Sequence, residues 1–452
     1  MADEKNLNEE EEMTVTLTLD DDSEIECVVL NIFSAGDREY IALLPMEGAE
    51  SEEGEVYLYR YSETEDGTPV LDNIVDDDAY EKLEAYKGEV YFARALAYSE
   101  LIKCFCKAYD PATAKDELGV VLVSSYSNPG EMKRASLYDS YQFVLNDLAK
   151  AYDYMEPEEG TTLVASDYYD SPYFNEFTVQ ALMARIYLYM QDWDNAIKYS
   201  SKLIDSDLYL LSSATTVYTN DMSYYDYMWK YDASTETIWK VGFLPTSYGG
   251  KLGQVFLNFD EISYRPDYVP GQAALNTYEG NDLRYVSFFQ DMPTGYAHGL
   301  VWPLLVKYYG NMEFVSNYRI YHVNMPKVFR LSEQYLIRAE AYCQKEDFAK
   351  ASADISTLRQ ARYQTYGSAT LTSENWLDEI DKERLRELFM EGFRLQDLKR
   401  WGKGFERKPQ EQSVRDGSSL KIEAGNPLFV WPIPQHELDL PGSAIEPNES
   451  NK

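Results

Sequence analysis

The densest group of potentially reactive side chains lies in the segment DKERLRELFMEGFRLQDLKRW, from Asp381 to Trp401. Its carboxylates and guanidinium groups could transfer protons or bind a charged ligand, but no nucleophile stands beside a base there. Leucine and phenylalanine recur at helical spacing, and charged residues follow at i, i+3 intervals, as in Glu391, Arg394, Asp397 and Arg400. The pattern predicts an amphipathic helix with a ladder of exposed ion pairs, each contributing about 0.3–0.5 kcal/mol. We therefore interpret these charges as architectural.

No other group of residues has the spacing of a catalytic or metal site. The histidines are His298, His322 and His436, and the cysteines form no CxxC pair, which argues against a zinc site. The segment YGGKLG lacks the strand–turn–helix context of a phosphate loop. Because the chain has 78 carboxylates, a chance pair at glycosidase spacing carries no weight. The sequence therefore predicts a protein that is not an enzyme and holds no metal or cofactor.

Aromatic side chains are the best candidates for binding a ligand. They are dense between Asp205 and Lys327, where Gly, Pro, Asn and Ser are frequent and helical periodicity fails. A loop region of this length in a compact domain usually carries function, although tyrosine and tryptophan also pack inside loops. We expect short strands and helices there, with exposed rings that stack on a ligand. The candidate residues are Trp229, Tyr231, Trp239, Tyr248, Tyr296 and Trp302.

The charge of the chain excludes one class of ligand and indicates two modules. The formal net charge is −37 at pH 7, whereas a protein that binds nucleic acid needs clustered lysine and arginine. Residues 1–84 hold 27 acidic and 4 basic residues, so the excess is concentrated at the start. Such an asymmetry indicates modules of different character.

The two modules also differ in periodicity. Residues 1–84 predict a small, acidic, β-rich module with strands in TVTLTL, IECVVLNIF, YIALLPM and EVYLYRY. Residues 85–452 predict a mainly α domain that carries the irregular loop region. Two stretches in it match at a constant offset, with Ala184, Tyr187, Trp193 and Ala196 corresponding to Ala339, Tyr342, Phe348 and Ala351. Small residues where helices cross and an aromatic at the turn are typical of tetratricopeptide-like helical hairpins, here interrupted.

The residues from about 86 onward resemble the SusD/RagB family of Bacteroidetes surface lipoproteins. Six segments in family order carry the resemblance: YKGEVYFARALAYSELI, KRASLYDSYQFVLNDLAKAY, FTVQALMARIYLYMQDWDNAIKYSSKLI, VFRLSEQYLIRAEAYCQKEDFAKASADISTLRQAR, ERLRELFMEGFRLQDLKRWGKG and NPLFVWPIPQHELDL. Residues 1–84 resemble a small acidic domain of unknown function common in Firmicutes, through TVTLTLDDDSEIECVVLNIF, REYIALLPM, EVYLYRY and VDDDAYEK. The second resemblance implies no activity.

The SusD/RagB resemblance implies a function. Members of that family bind glycans, or peptides in the RagB branch, and pass them to a SusC-type TonB-dependent outer-membrane transporter; they are not enzymes. We therefore expect non-catalytic binding of an oligosaccharide or polysaccharide, in which the candidate aromatics stack on sugar rings. A peptide ligand is the alternative within the family. An intracellular helical-repeat scaffold for a protein partner is the alternative outside it.

The chain departs from the family pattern at both ends. The acidic module stands in place of the lipidated cysteine and the first family helices, and the tail is altered after Leu440. The start, MADEKNLNEEEEM, is unlike a secretory signal peptide, and no apolar run is long enough to cross a membrane. The chain as given is thus expected in the cytoplasm, whereas the resemblance implies the outer membrane. The switch near Asp78–Lys87 indicates a fusion, which could be natural, engineered or an assembly artefact.

Overall fold

The structure is a computed structural model that describes residues 14–18, 24–35, 38–46, 56–64, 68–74, 77–124, 132–157, 160–296, 300–415 and 417–452. The acidic start of the chain and His298 lie outside these residues. The described residues form two compact units. One contains those up to Lys87, those of 121–133 and Leu440–Ile445; the other contains Gly88–Val120, Arg134–Asp439 and Glu446–Lys452.

The described part of the first unit contains an antiparallel five-stranded sheet in which each strand pairs with the next along the chain. Val15 and Leu17 alternate with threonines on the first strand, which gives it one apolar face. Leu17, Cys27, Ile41 and Leu43 are buried together as the core. The four expected strands are confirmed, and the structure adds a fifth, β5. The strands are β1 Thr14–Thr18, β2 Glu24–Ala35, β3 Arg38–Pro45, β4 Tyr57–Glu63 and β5 Pro69–Asp72.

The second unit is mainly helical, as expected. Its long helices have apolar residues at helical spacing, and several begin at a side-chain cap; Ser136, for example, accepts a hydrogen bond from the backbone N–H of Asp139. The first helix, α1, begins in the first unit and ends in the second. The helices are α1 Asp77–Phe105, α2 Leu137–Met155, α3 Ala165–Tyr168, α4 Glu176–Tyr189, α5 Trp193–Ile204, α6 Tyr224–Lys230, α7 Gln254–Leu257, α8 Gln272–Leu275, α9 Arg284–Phe288, α10 Met312–Tyr318, α11 Leu331–Gln344, α12 Phe348–Arg362, α13 Trp376–Glu387, α14 Arg394–Arg400 and α15 Gln435–Leu438.

Short strands and 3-10 turns occupy the irregular parts of the second unit, as the sequence predicts. The strands pair in order as β6 with β7, β9 with β10, β12 with β13, and β8 with the distant β11. They are β6 Val217–Thr219, β7 Met222–Ser223, β8 Thr237–Lys240, β9 Phe289–Pro293, β10 Val301–Leu305, β11 Lys327–Arg330, β12 Phe405–Glu406 and β13 Lys421–Ile422, with 3-10 turns at Pro427–Phe429 and Glu449–Asn451.

The two predicted hairpins are confirmed as α4–α5 and α11–α12, and they are neighbours because α5 packs against α11. All four matched alanines are fully buried where the helices cross. The turns also match. Asp192 and Asp347 cap the second helices by accepting hydrogen bonds from the backbone N–H groups of Asn195 and Lys350. The loop region between the hairpins is thus mounted on one continuous helical layer.

The charged segment Asp381–Trp401 differs from the expected single helix. It is broken into α13 and α14 by a turn in which Met390 and Gly392 have φ values of 59° and 89°. Among the expected ladder pairs, Asp397 and Arg400 do pair, at 3.0 Å. Other pairs join different turns of the segment, such as Arg384 with Asp397 at 2.8 Å, and Glu391 pairs with Lys307 and Arg330 from outside it. Four charged residues of α13 are buried rather than exposed: Glu383, Arg384, Arg386 and Glu387.

The buried charges of α13 form a network centred on Glu387. Its carboxylate accepts hydrogen bonds from Arg284 at 3.0 Å, Arg330 at 2.9 Å and Arg362 at 2.9 Å, and all four side chains are fully buried. Arg330 and Arg362 also share Glu236. Such a network differs from exposed pairs, because removing one partner leaves an uncompensated buried charge and costs roughly 3–5 kcal/mol. The segment is architectural, as interpreted, but through burial.

Candidate functional site

Three of the six candidate rings are buried, so the expectation that they are exposed is wrong. Trp229, Trp239 and Trp302 expose only 4%, 7% and 5% of their surface. Two of the indole N–H groups are satisfied inside the protein: Trp239 donates to the carbonyl of Pro172 at 3.1 Å, and Trp302 donates to that of Glu411 at 3.0 Å. A ring enclosed in this way cannot offer a face to a ligand.

Trp229 contacts buried cations with its ring face. The ammonium groups of Lys307 and Lys327 lie 4.0 and 4.8 Å from a ring centroid of the indole, and the guanidinium carbon of Arg330 lies 5.2 Å away. Because Arg330 belongs to the network around Glu387, the indole helps to hold that network in place. Trp229 is therefore a structural residue.

The three candidate tyrosines are accessible. Tyr231 and Tyr296 are half-buried, and Tyr248 is exposed. The ring of Tyr296 packs on Trp302 with centroids 6.1 Å apart. Within the described part of the chain, no ring contact joins the three tyrosines to one another. Their role in binding stays a prediction.

Tyr231 belongs to a larger group of rings that we name the tyrosine surface: Tyr218, Tyr224, Tyr227 and Tyr231. Ring centroids are 4.9 Å apart for Tyr218 and Tyr224, 4.6 Å for Tyr218 and Tyr227, and 4.6 Å for the stacked pair Tyr227 and Tyr231. Tyr218 and Tyr224 expose 48% and 40% of their surface, and the other two are half-buried. The rings thus form a continuous aromatic surface that is open to solvent.

The helix α6 separates this surface from the core. Tyr225, Met228 and Trp229 are buried on one side of the helix, whereas Tyr224 and Tyr227, one turn apart, point to the other. Ser223 starts the helix by accepting a hydrogen bond from the backbone N–H of Asp226 at 3.1 Å. This amphipathic turn was the available sequence signal for the surface, but it is too short to stand out as a period.

A tight turn brings Tyr218 to the same side. Strands β6 and β7 are joined through Asn220 and Asp221, whose φ values are 46° and 61°. A two-residue hairpin turn with positive φ at both positions favours Asn and Asp, since their short side chains tolerate the left-handed region. The turn folds Tyr218 back over Tyr224 and Tyr227.

The tyrosine surface offers apolar faces with free hydroxyl groups. Burial, followed by the neighbouring Tyr218 and the carboxylate of Glu313, raises the pKa of Tyr227, so this phenol stays neutral at physiological pH. A neutral phenol both donates and accepts hydrogen bonds. None of the four tyrosine hydroxyls makes a hydrogen bond to another residue that the structure describes. The surface can therefore stack on a ligand ring and hydrogen-bond to its hydroxyls.

Glu383, a buried carboxylate of α13, is held in its ionised form. Burial alone would raise the pKa of Glu383, but the guanidinium groups of Arg284, Arg386 and Arg359 outweigh it and hold that pKa below its ordinary value. The carboxylate is thus a fixed counter-ion, not a proton donor. Across the described ranges, no three His, Cys, Asp or Glu side chains are grouped as metal ligands, and no helix has the length and apolarity to cross a membrane.

Comparison with known proteins separates the two ends of the chain. Residues 302–446 match the model of the SusD family, and residues 20–90 match that of a protein of unknown function, DUF1292. A UPF0473 protein from Heliobacterium modesticaldum is 31% identical over 84 residues, which is 19% of this chain and 91% of the relative. Both resemblances expected from the sequence are confirmed.

Solved structures share the fold of most of the chain. A SusD superfamily protein from Bacteroides thetaiotaomicron is 24% identical, with a TM-score of 0.64 over 83% of this chain and 80% of the other. The surface glycan-binding protein A from Bacteroides fluxus is 20% identical, with a TM-score of 0.59 over 83% and 79%. The predicted fold class, SusD-like and preceded by a β-rich module, is therefore confirmed.

Proposed function

We propose that this chain, whose N-terminal module belongs to the DUF1292 family and whose helical unit has the SusD-like fold, binds an oligosaccharide without transforming it. The binding site proposed is the tyrosine surface. One observation carries the proposal: four contacting rings face solvent on a fold shared with a surface glycan-binding protein. Rings in such numbers would otherwise be expected in a core.

The tyrosine surface suits sugars in both parts of their chemistry. The C–H faces of a pyranose are apolar and stack on aromatic rings, and removing about 100 Å² of apolar surface from water contributes roughly 2.5 kcal/mol. The phenol hydroxyls would meet the polar rim of the same sugar. After the cost of ordering a flexible oligosaccharide, two or three stacked rings leave micromolar to millimolar affinity. Weak binding suits a protein that hands its ligand on.

We also propose a protein partner and a location for this chain. The resemblance to SusD proteins implies a SusC-type TonB-dependent transporter as the partner and the outer membrane as the location. A transporter gene next to the gene for this chain would support both. We propose no hydrolytic activity, because the described carboxylates that are buried around α13 are neutralised by arginines.

Alanine substitution in the tyrosine surface tests the proposal. Tyr218→Ala and Tyr231→Ala should each weaken binding of neutral glucan oligosaccharides by roughly 1–3 kcal/mol, from fivefold to more than a hundredfold. The matched control is Tyr173→Ala, which removes a ring that is 73% exposed and lies outside the surface. Calorimetry gives the affinities, and melting temperatures confirm folding. Equal affinities in all three variants, or tighter binding of peptides than of any glycan, would refute the proposal.

A further inference from the structure

A second accessible ring, Tyr296, is flanked by two arginines. The guanidinium carbons of Arg265 and Arg415 lie 5.9 and 5.8 Å from the centroid of the Tyr296 ring. Nη2 of Arg415 also donates a hydrogen bond to the Tyr296 hydroxyl at 3.2 Å. We name these three residues the arginine–tyrosine site. Both arginines are exposed and the ring is half-buried, so a ligand can reach all three.

The loop on one side of the site is fixed by Asp260. Its carboxylate accepts hydrogen bonds from the backbone N–H groups of Ser263 at 2.8 Å and Ile262 at 3.1 Å, and it pairs with Arg265. A side chain at Gly295 would place its Cβ 2.3 Å from Oγ of Ser263 and 3.0 Å from Nε of Arg265, so any larger residue there would displace these side chains. Arg265 is therefore held in place and neutralised.

The segment on the other side is fixed by two buried donors. Trp302 donates to the carbonyl of Glu411 at 3.0 Å, and Gln410 donates to that of Pro270 at 2.8 Å. These hydrogen bonds anchor the segment that carries Arg415 to the ring. Trp302, a candidate for ligand contact in the sequence, is thus a positioning residue that packs against Tyr296 and hydrogen-bonds the segment that leads to Arg415.

Charge distinguishes Arg415 from Arg265. Within the described residues, no carboxylate lies within ion-pair distance of Arg415, whereas Asp260 already neutralises Arg265. The chain as a whole has a net charge of −37, so an anionic ligand needs a local cationic group to bind. A guanidinium group without a carboxylate partner among the described residues, close to an aromatic ring, offers a planar, charged partner for a carboxylate or a sulfate beside a stacking face.

We propose that the arginine–tyrosine site binds an anionic substituent, a carboxylate or a sulfate, on a sugar residue whose ring stacks on Tyr296. The inference rests on the proposed function and adds the charge of the ligand to it. Arg415 forms the charge-assisted hydrogen bonds, whereas Arg265, neutralised by Asp260, contributes guanidinium N–H donors near the same ring. The ligand of this chain is then an acidic glycan, with neutral residues bound at the tyrosine surface.

Oligogalacturonate and its fully methyl-esterified form are matched probes, because they share one sugar chain and differ only at the carboxyl group, which is anionic in the first and a neutral ester in the second. Calorimetry on the full chain should show roughly tenfold to a hundredfold tighter binding of the acid than of the ester, decreasing with added salt. Arg415→Gln should abolish this difference, and Arg415→Lys should retain part of it, since it keeps the charge and loses the fork. Arg407→Gln is the control, because Arg407 is also an exposed arginine beside an aromatic ring but lies on another hairpin. Its guanidinium carbon lies 5.1 Å from the centroid of the Phe405 ring.

A sulfated galactan oligosaccharide and its desulfated form make the second arm, which distinguishes sulfate from carboxylate. Preference for either anionic probe that is lost in Arg415→Gln and kept in Arg407→Gln supports the inference. Equal binding of charged and uncharged forms, or equal losses in both glutamine variants, overturns it. If neutral glucans bind and no anionic preference exists, the inference alone fails. If no carbohydrate of any charge binds, the proposed function fails with it.

Discussion

Glu176 is a carboxyl group buried in the first turn of α4. Its Oε1 has no hydrogen-bond partner in the described part of the chain, and burial raises the pKa of this carboxyl to about 7. The folded chain therefore holds a proton that the unfolded chain releases above its ordinary pKa of 4.5. The contribution of this group to stability is fully present below about pH 4.5 and is lost as the pH rises through about 7.

Glu176→Gln should remove this loss, because the amide is neutral at every pH. The variant should be more stable than the parent at about pH 8 by up to ~3 kcal/mol, with a smaller difference at about pH 5. Urea unfolding at both pH values measures the two free energies. Glu279→Gln changes an exposed carboxylate and serves as the control, with no pH-dependent difference expected. Equal gains for Glu176→Gln at both pH values would contradict this assignment.

Single residues in the loop region were the hardest to predict. The sequence pointed to the region and to Tyr231, whose role in binding stays a prediction. It could not tell a buried tryptophan from an exposed one, because burial there depends on partners distant in the chain. Trp302 is buried by a contact with Glu411, and Trp239 by contacts with Phe174 and Phe329. The positions of Tyr218 and Tyr224 depend on the two-residue turn at Asn220 and Asp221, and the positive φ values of that turn were not predicted from the sequence.

At the scale of elements, the turn between α13 and α14 depends on one glycine. Gly392 has a φ of 89° and no neighbour near an added Cβ, so alanine would be strained by its backbone alone. We expect Gly392→Ala to lose roughly 1–2 kcal/mol of stability in chemical unfolding. Gly250→Ala is the matched control, since Gly250 also faces open space and lacks a positive φ. Similar stability of the two variants would show that the turn tolerates alanine.

Regular elements were predictable where their period was long enough. Alternation gave four strands of the N-terminal sheet, and helical spacing gave the hairpins, whose matching aspartate caps confirm the repeat. The break inside Asp381–Trp401 was missed because apolar residues continue at helical spacing across it. Its polar side was misread for another reason. A sequence cannot show that Arg284, Arg330 and Arg362, from other segments, cover the charges of α13.

For the whole molecule, we predict that residues 1–84 form an independent module. The motivation is the change in period and charge near residue 85 and the division of the chain into two units. Calorimetry of the full chain should show two unfolding transitions, and limited proteolysis should release a fragment near the junction. A chain that begins at Asp77 should keep the second transition and the glycan affinity. One cooperative transition with no such fragment would argue for a single folding unit.

The overall architecture was predictable from segment order rather than from physics alone. The order of the SusD-like segments implied the helical unit, and the two hairpins indicated its scaffold. Their direct packing through α5 and α11 joins segments separated by the whole loop region, which no local pattern encodes.

The network around Glu387 has a consequence for the order in which the chain folds. Glu236 and Arg284 precede Glu383 and Glu387 by many residues in the sequence. All four side chains are nevertheless fully buried in one ion-pair network. Until α13 has been synthesised, Arg284, Arg330 and Arg362 have only Asp282 and Glu236 as buried counter-ions and lack Glu383 and Glu387, so complete burial of the three guanidinium groups is unfavourable. A nascent chain that ends before Glu387 therefore cannot complete this buried network. The folding of the loop region therefore depends on a helix that is synthesised after it.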